Sequence, residues 1–171
     1  MMKAIGAALV FVACTGIGFR IARDYRERPR QLRALMQGMR LLQAEVEYSV
    51  TPLPAALRRV SERVSPPAGV LFASAADILQ DGDVPVADAL ARALNEAERL
   101  SALRDADLEV VREFGRTLGT SDRVHQSQQF EVAIARLAGL EEEARELQRT
   151  HERLWQYIGA LVGLTIVILL Y

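Results

Sequence analysis

Lysine is almost absent: Lys3 is the only one, and arginine carries the rest of the positive charge. A Walker-type phosphate loop needs closely spaced glycines followed by lysine, so the chain is not itself a P-loop ATPase. Cysteine is as scarce. Cys14 stands alone, which excludes an intrachain disulfide framework and a cysteine-based metal site, and leaves the redox compartment undetermined. His125 and His151 lie 26 residues apart without HExxH spacing, so a zinc site would have to recruit distant carboxylates. No GxSxG elbow occurs, and no segment alternates apolar and polar residues between turn signals, so neither a serine hydrolase nor a sheet is expected.

What is present is apolar sequence at both ends. The last eighteen residues, Leu154 to Tyr171, carry no charged side chain, and at about 1.5 Å per helical residue they reach roughly 27 Å, close to the thickness of a thin bilayer. Trp155 and Tyr157 stand where an aromatic belt would lie, just past Arg145, Arg149 and Arg153. At the other end Ala4 to Phe19 is uncharged over sixteen residues; Lys3 and Arg20 can extend it by reaching to the interfaces. Both ends read as membrane helices. A cleaved signal and a lipoprotein signal over Phe11 to Cys14 are alternative readings of the first. The Arg-rich flank opposes export, Phe11 stands where Leu is usual, and Ile17 and Phe19 continue the apolar run past Cys14.

Between the ends the charge is uneven. Arg20 to Arg40 holds seven arginines against Asp24 and Glu27, whereas Leu41 to Arg153 holds thirteen against twenty acids. Arg20, Arg23, Arg26, Arg28, Arg30 and Arg33 form a membrane-proximal collar, and the basic flanks of both apolar ends place the middle in the cytoplasm. The acidic body would repel phosphates, so nucleic acid is not expected as a partner. Three parts result: residues 1–19 and 154–171 in the membrane, and 20–153 as a cytoplasmic domain.

That domain reads as an all-α bundle of about six helices. Pro29 is expected to break or bend the juxtamembrane segment. Leu32, Leu35, Met36, Met39, Leu42 and Val46 then recur at helical spacing. Thr51 and Pro52 read as cap and first-turn proline of a second helix, with Leu53, Leu57, Val60 and Val64 inward and Ser65 to Pro67 as its stop. Leu71, Phe72, Ala75, Ile78 and Leu79 mark a third helix, ended by the turn Asp81 to Asp83. Val86, Leu90, Ala93, Leu94 and Ala97 mark a fourth, and Ser101 reads as the cap of a fifth that uses Leu103, Val110, Val111, Phe114 and Leu118. From Asp122 to Tyr171 no proline intervenes, which points to one long helix or two nearly coaxial ones. The acids from Glu141 to Glu146 read as a solvated face, and Asp105 and Asp107 as surface residues. Thr51 to Leu57 and Val84 to Leu90 echo each other as proline-started helices.

No catalytic, metal or cofactor residues are assigned, and the chain is not expected to be an enzyme. Within the apolar ends only Cys14, Thr15, Gln156 and Thr165 are polar, which offers no ionisable relay of the kind a pump needs. The stretch from Glu113 to Phe130, with glycines four apart, an acid and several amides, reads as a close turn between two helices. Gly115, Gly119, Asp122, Arg123 and Gln126 are the candidate partner contacts there, beside the arginine collar.

Several motifs in order carry a resemblance over essentially the full length: Glu27 to Leu32 (ERPRQL), Glu45 to Tyr48 (EVEY), Thr51 to Leu53 (TPL), Glu113 to Gly115 (EFG), Leu118 with Gly119, then Asp122 and Gln126. The chain resembles the stage III sporulation protein AB family of endospore-forming bacteria. The resemblance implies a component of the channel-like assembly between mother cell and forespore. It also implies kinship with the F-type platform proteins of type II secretion and type IV pilus machines, whose cytoplasmic helical domains dock an assembly ATPase. Leu79 to Leu90 (LQDGDVPVADAL) is similar to their glycine-turn-helix signature. Those proteins usually carry two such domains and this chain has one, so a homo-oligomer would supply the second copy. The implied partners are membrane lipid, that ATPase and other membrane components of the same complex. Two other classes stay open: a membrane-tethered signalling adaptor presenting the His125 helix to a kinase, and an envelope lipoprotein displaying the bundle outside.

Overall fold

Apolar residues spaced three and four apart must face one side of a helix, and that side is stable only when another helix covers it. A computed structural model shows this arrangement, with the backbone described at 2–48, 51–82, 84–118 and 123–170. Side chains are described at 16, 20, 22–48, 51–82, 84–118, 126–150, 157, 158, 161 and 165. Six helices follow one another: α1 Met2–Tyr48, α2 Leu53–Ser61, α3 Ala68–Asp81, α4 Val86–Glu98, α5 Asp105–Leu118 and α6 Arg123–Leu170. No strand occurs among the described residues, so the protein is all-α, as its periodicity requires.

Two compact units arise, Arg30–Glu142 and the pair Met1–Pro29 with Glu143–Tyr171. In the first, the bundle, α1 contributes Leu32, Leu35, Met36, Met39 and Leu42 to the core. Leu57 and Val60 of α2, Leu71, Phe72 and Ala75 of α3, and Leu90 and Leu94 of α4 join them. Leu108, Val111 and Phe114 of α5 and Phe130, Ile134 and Leu137 of α6 complete it. Each fully buried large side chain contributes about 1.5–3 kcal/mol against its exposed state. Near one end of the bundle Arg33 of α1 meets Glu141 of α6, Nε to Oε1 at 2.9 Å; toward the other, Gln43 reaches Ser127 and Glu131. The two helices are therefore antiparallel, and the chain enters and leaves the bundle at the same end. In the second unit, Arg28 is 4% exposed, with Nη1 4.0 Å from Glu143 Oε1.

Helix starts differ in detail from the sequence reading. The N-cap of α2 is Pro52, one residue beyond Thr51, and no side chain caps it. Pro52 is extended (φ −58°, ψ 142°), and its carbonyl accepts from Ala56 N at 3.1 Å. Pro85 does the same for α4, at φ −55° and ψ 144°, accepting from Ala89 N at 3.0 Å. The sequence echo thus corresponds to one backbone device used twice: a proline already fixed near the required φ starts the helix. α2 stops at Ser61, before Pro66 and Pro67, as Arg63 N turns back to Val60 O at 3.0 Å. Ser101 does not cap α5. It donates to Glu98 O at 3.2 Å and closes α4 instead, while α5 begins at Asp105.

Pro29 does not break α1, which runs unbroken through it. Its ring is fully buried, and that burial offsets part of the roughly 3 kcal/mol that an interior proline costs. At Gly38 an added Cβ would run into the Phe72 ring of α3, which would have to shift, so α1 and α3 approach closely at this point. Among the described residues no helix is long and apolar enough to cross a membrane. The expected spans, 1–19 and 154–171, are helical in backbone over 2–19 and 154–170, and most of their side chains lie outside the described set.

Candidate functional site

The end of the bundle opposite the chain's exit collects residues distant in sequence. Gln126, in the first turn of α6, donates from Nε2 to the Leu118 carbonyl at 2.9 Å. It thereby satisfies an acceptor that the last turn of α5 leaves open. One turn before the end of α1, Gln43 Nε2 lies 3.0 Å from Glu47 Oε1, 3.4 Å from Ser127 Oγ and 3.2 Å from Glu131 Oε1. Hydrogen bonds from Ser127 and then Gln43 hold the exposed Glu47 carboxyl below its ordinary value of 4.5. Tyr48, beside it, is 86% exposed. Beneath this polar layer the Phe114 and Phe130 rings meet at 4.6 Å, tilted by 55°.

Of the candidate contacts, Gly115 is buried, and a Cβ added to it would stand 3.0 Å from Leu90 Cδ1; its lack of a side chain serves the crossing of α4 and α5. Gln126 is half-buried and engaged with Leu118. Gly119 and Asp122 lie outside the described residues, and Arg123 opens α6 with its side chain outside them. The histidine side chains, His125 and His151, also lie outside them.

A shallow groove runs along the junction of α5 and α6, lined by Val110, Glu113, Phe114, Gln129, Val132 and Arg136. Arg136 pairs with Glu113 across it. Val132 is 48% exposed. Among the described residues no group of three or more His, Cys, Asp or Glu side chains is placed to hold a metal ion.

The arginine collar is not uniform. Arg20, Arg23, Arg26 and Arg30 are exposed, whereas Arg28 is buried and Arg33 is committed to Glu141. Glu141 itself is only 6% exposed, which corrects the reading of Glu141 to Glu146 as a solvated face; Glu142, Glu143 and Glu146 do face solvent. Asp107, taken as a surface acid, is fully buried. Its Oδ2 accepts from Arg104 N at 2.8 Å, so the third residue of α5 reaches back to cap its start.

The family description "Stage III sporulation protein AB (spore_III_AB)" matches residues 3–171. The chain belongs to this family. The Stage III sporulation protein AB of Bacillus subtilis (strain 168) is 34% identical over 170 residues, covering 99% of each chain. A solved structure of Stage III sporulation protein AB superposes with a TM-score of 0.69 at 31% identity, over 72% of this chain and 98% of that one. In this member of the stage III sporulation protein AB family, motif segments separated by most of the domain converge at one corner. EVEY ends α1 with Glu47 bound to Ser127, and Leu118 is held by Gln126. Sequence reasoning reached the α5 and α6 parts of this corner and missed the contribution of Gln43 and Glu47, because nothing local in α1 announces a partner more than eighty residues away.

Proposed function

We propose that the chain is a non-enzymatic platform component of a channel-like or secretion-like complex between mother cell and forespore, related to the F-type platform proteins of type II secretion and type IV pilus machines. Its cytoplasmic bundle docks an assembly ATPase, and lipid holds it at both ends. Family membership supports a role in sporulation. The observation that carries the finer reading is the shared exit: α1 and α6 leave the bundle beside the Arg33–Glu141 pair, and each continues as helix into uncharged sequence, residues 4–19 and 154–170. A bundle continued by two helices into lipid-held segments can pass displacement between a soluble partner and the membrane.

The test has two arms. A tag inserted in a loop of the domain at residues 20–153 is expected to resist protease in intact cells and to be cut once the membrane is opened; cleavage from outside, or release of the protein by a mild wash, removes the reading. The full-length protein in detergent is then expected to retain the sporulation ATPase in a pull-down, with retention falling as salt rises because the body is acidic. Retention that ignores salt removes the electrostatic part, and no retention at low salt removes the docking role.

A further inference from the structure

We draw no further inference here: the strongest candidate, the exposed face of α6 formed by Val132, Ala135, Ala138 and Gly139 beside the shallow α5–α6 groove, carries nothing because no feature of the structure shows what covers it.

Discussion

Arg33 of α1 holds Glu141 of α6 at 2.9 Å, a half-exposed guanidinium on a carboxylate whose side chain is only 7% exposed. The pair is asymmetric: removing the arginine takes a charge partner from a buried carboxylate, while the arginine left behind can turn to water. Arg33→Ala is therefore expected to destabilise the detergent-solubilised protein by about 1–3 kcal/mol, and Glu141→Gln by less. Thermal unfolding of the two single variants and the double variant checks this. A double variant no less destabilised than the sum of the singles would show that the pair is not coupled.

Asp107 offers a second buried carboxylate with a local role. Asp107→Ala removes the acceptor for Arg104 N and leaves that N–H without its cap, at an expected loss of about 1–2 kcal/mol. Asp105→Ala, two residues earlier and exposed, is expected to stay within about 0.5 kcal/mol. Denaturant unfolding of both variants separates capping from a general effect of acids near a helix start; equal losses would favour the latter.

The glycines of α1 and α6 make opposite predictions. Gly38→Ala puts a methyl group into the Phe72 ring and is expected to cost about 1–3 kcal/mol through overpacking, part of it recovered by adding Phe72→Leu. Gly139→Ala meets nothing within 4 Å, so only helix propensity changes, and the protein should gain up to about 1 kcal/mol. Melting temperatures of the three variants decide it: a destabilising Gly139→Ala, or a Phe72→Leu that fails to rescue Gly38→Ala, contradicts the packing described.

These examples mark where sequence was informative. The stripe of Leu32, Leu35, Met36, Met39 and Leu42 is legible because helical periodicity is a local property, and all five are buried. Proline-started helices at Leu53 and Val86 are legible for the same reason. Glu141 was misread because its partner lies 108 residues earlier in another helix, and no local pattern distinguishes a buried acid from its solvated neighbours. Asp107 was misread for a different reason. Placing the start of α5 at Ser101 put the aspartate well inside the helix, where an acid reads as surface, whereas a start at Asp105 makes it the third helical residue, from which it accepts the Arg104 N–H. Pro29 shows the limit of breaker rules, since a proline ring can be buried within a continuous helix.

The Glu47 carboxyl supplies a pH prediction. Bonds from Ser127 and Gln43 favour its charged form and lower its pKa in the folded state. The stabilisation this gives is present above the unfolded-state value near 4.5 and is lost as pH falls through the lower folded value. Carboxyl NMR of the wild type is expected to show a Glu47 midpoint below 4.5, moving upward in Ser127→Ala. An unchanged midpoint in that variant would mean that Ser127 does not donate to Glu47 in solution.

The division of the arginine collar separates folding from orientation. Arg20 and Arg23 are exposed, whereas Arg28 is buried and faces Glu143. If the first apolar segment is a retained span, its cytoplasmic flank is specified by the count of nearby positive charges rather than by any one contact. Arg20→Gln with Arg23→Gln is thus expected to leave thermal stability unchanged while a fraction of molecules inserts with the N-terminus reversed, read by protease access to an N-terminal tag in intact cells. Arg28→Gln removes one positive charge where that double variant removes two, and it also alters a buried guanidinium that faces the exposed Glu143, so it should lower the melting temperature with a smaller effect on orientation. The reverse pattern, with orientation following Arg28 alone, would mean that the collar acts through packing and not as a topogenic charge cluster.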